Sequence, residues 1–223
     1  MRVLYRFSEV SSFSIVFIEE NNFIRSVDVL DLFCGAGGFS EGFRQAGAEI
    51  VAGIDNDSKA LETYDFNFPN SVNLDYDLSS NDIPPDLSLI NNVDVVTGGP
   101  PCQGFSIAGH RNTDDPRNKL FQSYVRILDA FKPSFVIIEN VPNIMSMGGG
   151  IYVEGITSSL KSCGYNVEIY KIDCSEFGVP QSRKRVFFIG SNRNSWSLLM
   201  SKVDNPIFNE KVSCYEALCD LPS

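Results

Sequence analysis

Short strand-like runs alternate with helical patterns along this chain, and few folds accommodate that order. Strands are predicted at residues 27–33, 49–54, 93–97, 134–138, 165–172 and 186–190, with a further short one in the 73–79 stretch. Helical periodicity occupies the stretch ending at Ala46 and residues 58–66, 118–131 and 151–163. Val93-Asp94-Val95-Val96-Thr97 reads as a buried strand, because its apolar residues do not alternate with polar ones. Strands joined through helices run parallel, since the helix carries the chain back to the starting edge. The order therefore predicts an α/β protein with a doubly wound, mostly parallel, Rossmann-like sheet. A chain of 223 residues can bury one substantial core, so one domain is the expected unit.

Composition narrows the classes further. Hydrophobic residues make up 43% and charged residues 21%, which is ordinary for a soluble globular protein, and no apolar run is long enough to span a bilayer. Glu9 and the nearby serines break any signal-peptide core, so a cytoplasmic protein is expected, with no membrane partner. Cys34, Cys102, Cys163, Cys174, Cys214 and Cys219 form no Cys-x-x-Cys pair, and His110 is the single histidine. Zinc is therefore disfavoured and reduced thiols are expected. The net charge of −10 argues against a broad basic face. Basic residues gather only at His110-Arg111 with Arg117 and Lys119, and at Arg183-Lys184-Arg185.

Four stretches carry chemistry. The strand at 27–33 runs into Cys34-Gly35-Ala36-Gly37-Gly38-Phe39 and then a helix. Such a turn gathers backbone N–H groups and a helix N-terminus at one point, which suits an anionic or polar cofactor; tight turns also use glycine for geometry alone. Ser40 stands where the dinucleotide fingerprint has its third glycine, which disfavours NAD. Asp55 ends the second strand, placed either to bind ribose hydroxyls or to cap the helix that follows.

The strand at 93–97 leads into Gly98-Gly99-Pro100-Pro101-Cys102-Gln103-Gly104-Phe105-Ser106. Two successive prolines fix φ and remove two donors, so the chain enters Cys102 stiffly. A strand end is where an α/β protein places reactive groups, although an isolated free cysteine more often acts as a small hydrophobe. Glu139 ends the next strand, either as half of a catalytic constellation or as a surface acid or cap. Alternation puts Arg183 and Arg185 on one side of an extended segment, which fits contact with an anion or base as well as a solvated charge run. The polar residues 107–119 are predicted to form a lid beside the site. Residues 1–26 form an N-terminal extension of unassigned role, whose alternating piece at 12–18 is predicted as an edge strand.

In this order the motifs resemble the DNA cytosine-5 methyltransferases. Asp31-Leu32-Phe33-Cys34-Gly35-Ala36-Gly37-Gly38 is similar to that family's first cofactor motif, and Gly99-Pro100-Pro101-Cys102-Gln103-Gly104-Phe105-Ser106 to its nucleophile motif. Glu139-Asn140-Val141 and Gln181-Ser182-Arg183-Lys184-Arg185 are similar to two further active-site motifs. The resemblance implies an S-adenosylmethionine-dependent methyltransferase fold, with the catalytic domain at residues 27–223. It implies S-adenosylmethionine held by Phe33, Gly35, Gly37, Asp55, Asp77, Leu78 and Pro100, with Phe33 on adenine, Asp55 on ribose and Asp77 at the adenine amino group. It implies catalysis by Cys102, Glu139, Arg183 and Arg185, with Gln103 beside the nucleophile. The thiolate would add to C6 of a flipped-out cytosine and so make C5 nucleophilic toward the cofactor methyl.

In single-chain members a target-recognition region and two further motifs lie beyond the sequence resembling residues 212–222, whereas this sequence stops at Ser223. The expectation is the catalytic part of a restriction-modification or split methyltransferase acting on DNA, with a second polypeptide carrying the recognition region. A transfer-RNA cytosine-5 methyltransferase shares the same chemistry. An inactive, partner-binding remnant and a cysteine hydrolase complete the alternatives. Intact Cys102, Glu139 and Arg183 argue against the remnant, and a hydrolase would have only His110 as its base.

Overall fold

In the computed structural model the described residues are 3–9, 12–18, 24–80, 82–101, 116–192 and 211–220. Strands β1 (Val3–Glu9), β2 (Ser12–Ile18) and β3 (Ile24–Ser26) form an antiparallel sheet in the order β1-β2-β3. The 12–18 segment, expected at an edge, is thus the middle strand, because the chain doubles back on both sides of it.

The main sheet comprises β4 (Asp28–Leu32), β5 (Glu49–Asp55), β6 (Val72–Asp75), β7 (Val95–Gly98), β8 (Phe135–Asn140), β9 (Asn166–Asp173) and β10 (Lys184–Ser191). Their order is β6-β5-β4-β7-β8-β10-β9, and the first five run parallel to one another. β10 inserts antiparallel between β8 and β9. The connection from β9 to β10 holds only a single 3-10 turn, Cys174–Phe177, too short to carry the chain back, so the two strands pair antiparallel. The predicted doubly wound, mostly parallel sheet is the observed one.

Alternation along the strands sends side chains to two separate cores. Leu30, Leu32, Val96 and Ile138 meet Tyr124, Ile127 and Leu128 of α3 (Pro116–Phe131) and Ile156 and Leu160 of α4 (Ile151–Ser162). Val29, Ile50, Val95 and Phe135 meet Leu61 and Tyr64 of α2 (Ser58–Asn67), with Phe43 of α1 (Gly38–Gln45) packed alongside. A last short helix, α5 (Cys214–Leu218), starts from a Ser213–Glu216 capping box. Helices on both faces bury the central strands completely.

Two buried carboxylates interrupt this apolar frame, and each has its own solution. Asp94, in the strand-like run before β7, receives two bonds from the Arg25 guanidinium, one of them Nη2 to Oδ1 at 2.7 Å, and accepts the Asp28 N–H at 3.0 Å. This fork ties β3 to the start of the main sheet. Asp31, on β4, has no cationic partner among the described residues. Its Oδ2 accepts the Ser40 hydroxyl at 2.7 Å, and Tyr64 donates to Ser40 at 2.7 Å, while Oδ1 has no partner among the described residues. Burial pushes the Asp31 carboxyl up to about 7. Room for the Tyr64 ring comes from Gly53, where a Cβ would stand 2.4 Å from the ring.

Asp31 makes stability depend on pH in the direction opposite to ordinary paired acids. Its carboxyl titrates at 3.8 in the unfolded chain and at about 7 when folded, so between these values only the folded state keeps the proton. The stability it contributes is complete below the lower value and is lost as pH rises through the upper one. Asp31→Asn is therefore expected to gain stability relative to the wild type between pH 5 and pH 8, by at most about 4 kcal/mol. Thermal melts of both proteins across that range check it; a constant difference would contradict it.

Candidate active site

In the sheet order the chain leaves β4 toward β5 on one side and reaches β7 on the other. The helices after β4 and β7 lie on opposite faces, which opens a crevice beyond the carboxyl ends of these two strands. The predicted site residues that the structure describes lie at the carboxyl ends of the parallel strands or at the start of β10, with Arg183 just before it and Arg185 within it.

The glycine turn after β4 is held by its own backbone. Cys34 N–H donates to Ile54 C=O at 3.1 Å, and Gly37 N–H to Cys34 C=O at 2.9 Å. Phe33 adopts φ +57°, a conformation costly for a side-chain-bearing residue and concentrated at functional positions. Gly35 and Gly37 also have positive φ, for different surroundings. A Cβ at Gly37 would meet the Phe68 ring at 2.4 Å, whereas at Gly35 no atom of the described residues stands within 4 Å. Gly37 is small to fit the core; Gly35 opens onto space. Burial pushes the Cys34 thiol far above its usual range, so it stays protonated.

Asp55 belongs to this turn and not to the next helix. Its Oδ2 accepts the Gly35 N–H at 2.8 Å, and its Oδ1 accepts those of Asn56 and Asp57. The cap of α2 is Asp57, which accepts from Lys59 and Ala60. Asp55 C=O accepts the Tyr76 N–H at 2.8 Å, which brings the 76–80 segment alongside. There Asp77 is exposed and accepts the Ser79 N–H at 2.8 Å, while Leu78 is buried in the core.

On the other side of the crevice, Asn140 at the end of β8 donates from Nδ2 to Pro100 C=O at 3.0 Å. Prolines supply no N–H to a sheet, so this side-chain bond anchors the Gly99-Pro100-Pro101 segment. Its neighbour Glu139 pairs with Arg185 at 2.5 Å, Nε to Oε1, and Arg183 Nη2 lies 3.9 Å from the same oxygen. Glu139 Oε2 is 3.2 Å from the place a Cβ would take on Gly99, so the carboxylate sits against the Gly99-Pro100 turn. Both arginines thus converge on Glu139, and Arg183 stays half exposed, with charge left to offer. Cys102, Gln103, His110, Arg111 and residues 107–115 of the predicted 107–119 lid lie outside the described residues, whereas residues 116–119 are the first turn of α3 and not part of a loop.

Three contributions were not singled out from sequence. Asn140 stood in a motif without a role, and nothing local foretells its bond to Pro100. Ser40 counted only as a missing glycine, yet its hydroxyl links Asp31 to Tyr64. The grip of α3 on the 77–80 turn, described below, joins segments more than forty residues apart. Among the described residues no three His, Cys, Asp or Glu gather as a metal cluster, and no helix is long and apolar enough to cross a membrane.

The family model described as C-5 cytosine-specific DNA methylase matches residues 27–223. The type II methyltransferase M.DdeI of Desulfomicrobium norvegicum is 42% identical over 202 residues, which is 88% of this chain and 48% of that protein. M.AgeI of Thalassovita gelatinovora, also a type II methyltransferase, is 43% identical over 166 residues, 73% of this chain and 39% of that one. The chain therefore spans about half the length of these curated relatives or less. Among solved structures, a prophage-encoded candidate DNA modification methyltransferase of E. coli superposes with a TM-score of 0.73 at 32% identity, over 89% of this chain and 56% of that one. The Dnmt2 methyltransferase of S. pombe superposes with a TM-score of 0.60 at 27% identity, over 75% of this chain and 52% of its own. With the matched motifs at the carboxyl ends of a methyltransferase-type sheet, this chain belongs to the C-5 cytosine-specific DNA methylase family.

Proposed function

We propose that this chain is the catalytic part of an enzyme that transfers a methyl group from S-adenosylmethionine to C5 of cytosine in DNA. The observation that carries the reading is the convergence of Arg185 and Arg183 on Glu139, against the turn that delivers Cys102. The crevice fits the cofactor. Gly35 leaves the space a Cβ would fill, and Asp55, held by three backbone N–H groups, keeps lone pairs for ribose hydroxyls. Phe33 offers a partly buried ring to adenine, with Asp77 and Leu78 on the neighbouring turn and Pro100 closing the far side. When bound, S-adenosylmethionine supplies an electrophilic methyl group.

The protein residues activate the base. The Cys102 thiolate adds to C6, forming the S–C6 bond and turning the ring into an enamine that is nucleophilic at C5. Glu139 holds N3 and the exocyclic amine, stabilising charge as it builds, and Arg185 fixes the carboxyl group for that task. Arg183, only 3.9 Å from Glu139, binds the base carbonyl or a flanking phosphate. After transfer, loss of the C5 proton and elimination of Cys102 restore the aromatic ring. Gln103 flanks the nucleophile. Because C5 and C6 are shielded in the duplex, the cytosine is flipped out. Base-specific recognition is supplied by a region corresponding to the relatives' remaining length, on a second polypeptide or elsewhere in the full protein. Residues 1–26 are an extension outside the catalytic domain, and the enzyme works in the cytoplasm.

Duplex DNA carrying 5-fluorocytosine, offered together with the recognition region, is expected to trap a denaturant-resistant adduct that Cys102→Ala abolishes. An equal yield from the variant would overturn the assignment, and adducts formed on transfer RNA alone would favour the RNA branch. Asp55→Ala is expected to weaken S-adenosylhomocysteine binding by about tenfold to a hundredfold, a loss of about 1.5–3 kcal/mol. Titration calorimetry showing unchanged affinity would remove Asp55 from the cofactor site.

A further inference from the structure

We infer that Ser123 and Arg126 are positioning residues that hold the 77–80 turn in the shape required to read the adenine of the cofactor. The inference rests on the proposed placement of adenine beside Asp77. That turn is built around Asp77: Ser79 N–H donates to its side chain at 2.8 Å and Ser80 N–H to its carbonyl at 3.0 Å. Asp77 is exposed, and its Oδ2 has no partner among the described residues, so it is available to a ligand amine. The buried Leu78 side chain and a bond from the Tyr76 hydroxyl to Ser80 Oγ at 3.0 Å seat the turn, but they leave the carbonyls of Leu78 and Ser80 to be met by another element.

Helix α3 supplies the missing constraint. Ser123 is 3% exposed, and its hydroxyl donates to the Leu78 carbonyl and lies 3.1 Å from that of Ser80. Arg126 Nη2 donates to Ser80 C=O at 2.7 Å and to the Ser123 hydroxyl at 2.6 Å. A single helix turn therefore grips the carbonyls on both sides of Ser79. The grip is anchored in turn, because Tyr124 between these residues donates to Ile137 C=O at 3.2 Å, and Ile127 and Leu128 pack in the same core as Leu78. One nitrogen of Arg126, Nη2, reaches a carbonyl and a hydroxyl together. Because α3 also carries Tyr124 against the sheet that bears Glu139, the turn is held relative to the rest of the site and not merely in its own shape.

The test compares S-adenosylhomocysteine with S-inosylhomocysteine, in which a carbonyl replaces the adenine amino group, by titration calorimetry on the full chain. The wild type is expected to prefer the adenine ligand. Ser123→Ala and Arg126→Ala are expected to cut that preference by about fivefold or more, with Ser123→Thr restoring it. Ser123→Cys, which keeps the volume but donates weakly, serves as the fold-preserving variant, and faster amide exchange at Ser79 and Ser80 is expected in it. Asp77→Ala separates the two layers of argument. If it leaves the preference intact, the adenine placement itself is wrong. If Asp77→Ala abolishes the preference while the Ser123 and Arg126 variants keep it and leave exchange unchanged, the positioning role is overturned.

Discussion

Burial of β4 on both faces is the constraint from which the rest of the structure follows. Val29 points into one core and Leu30 and Leu32 into the other, all without exposure. Both faces must then be covered by helices, and the chain has to depart from the sheet centre in two directions. That departure creates the crevice. The same burial places Asp31 in an apolar layer, where Ser40 and Tyr64 offer hydrogen bonds but no counter-charge. A carboxyl so placed keeps its proton up to about pH 7, and the turn above it rests on a network that a charged form would strain.

The two sides of the crevice are stabilised by different means. On the glycine-turn side, backbone does most of the holding: Asp55 collects N–H groups from the turn and from its own exit. On the Glu139 side, side chains hold one another, with Asn140 on Pro100 and Arg185 on Glu139. The Glu139–Arg185 pair is only about one-fifth exposed, so a substitution that removed either partner would leave a poorly solvated charge. Arg183 is the more exposed of the two arginines, which suits a group that meets a ligand from solvent.

Much of this was legible along the chain because it is local. A strand, a glycine turn and a helix write themselves into a dozen consecutive residues, and the alternation of Arg183 and Arg185 foretold their shared side. The rival cap reading for Asp55 was equally local, and only the observed bonds separate Asp55 on the turn from Asp57 on the helix. Other features were illegible because their partners are distant. Arg25 and Asp94 lie 69 residues apart, and Ser80 and Arg126 lie 46 apart, so no periodicity connects them.

The amino-acid sequence by itself determined the order of strands and helices, the mostly parallel sheet and the segments that line its carboxyl edge, since hydrophobic period and turn chemistry act over a few residues. Tertiary structure alone decided which polar groups face one another inside. It made Asp31 a neutral acid, turned Ser40 from a missing glycine into a buried linker, and set Ser123 and Arg126 on the carbonyls of the 77–80 turn. It also put β2 between two neighbours where the pattern suggested an edge. Pairing and protonation depend on what packing brings within about 3 Å, and sequence spacing carries no record of that distance.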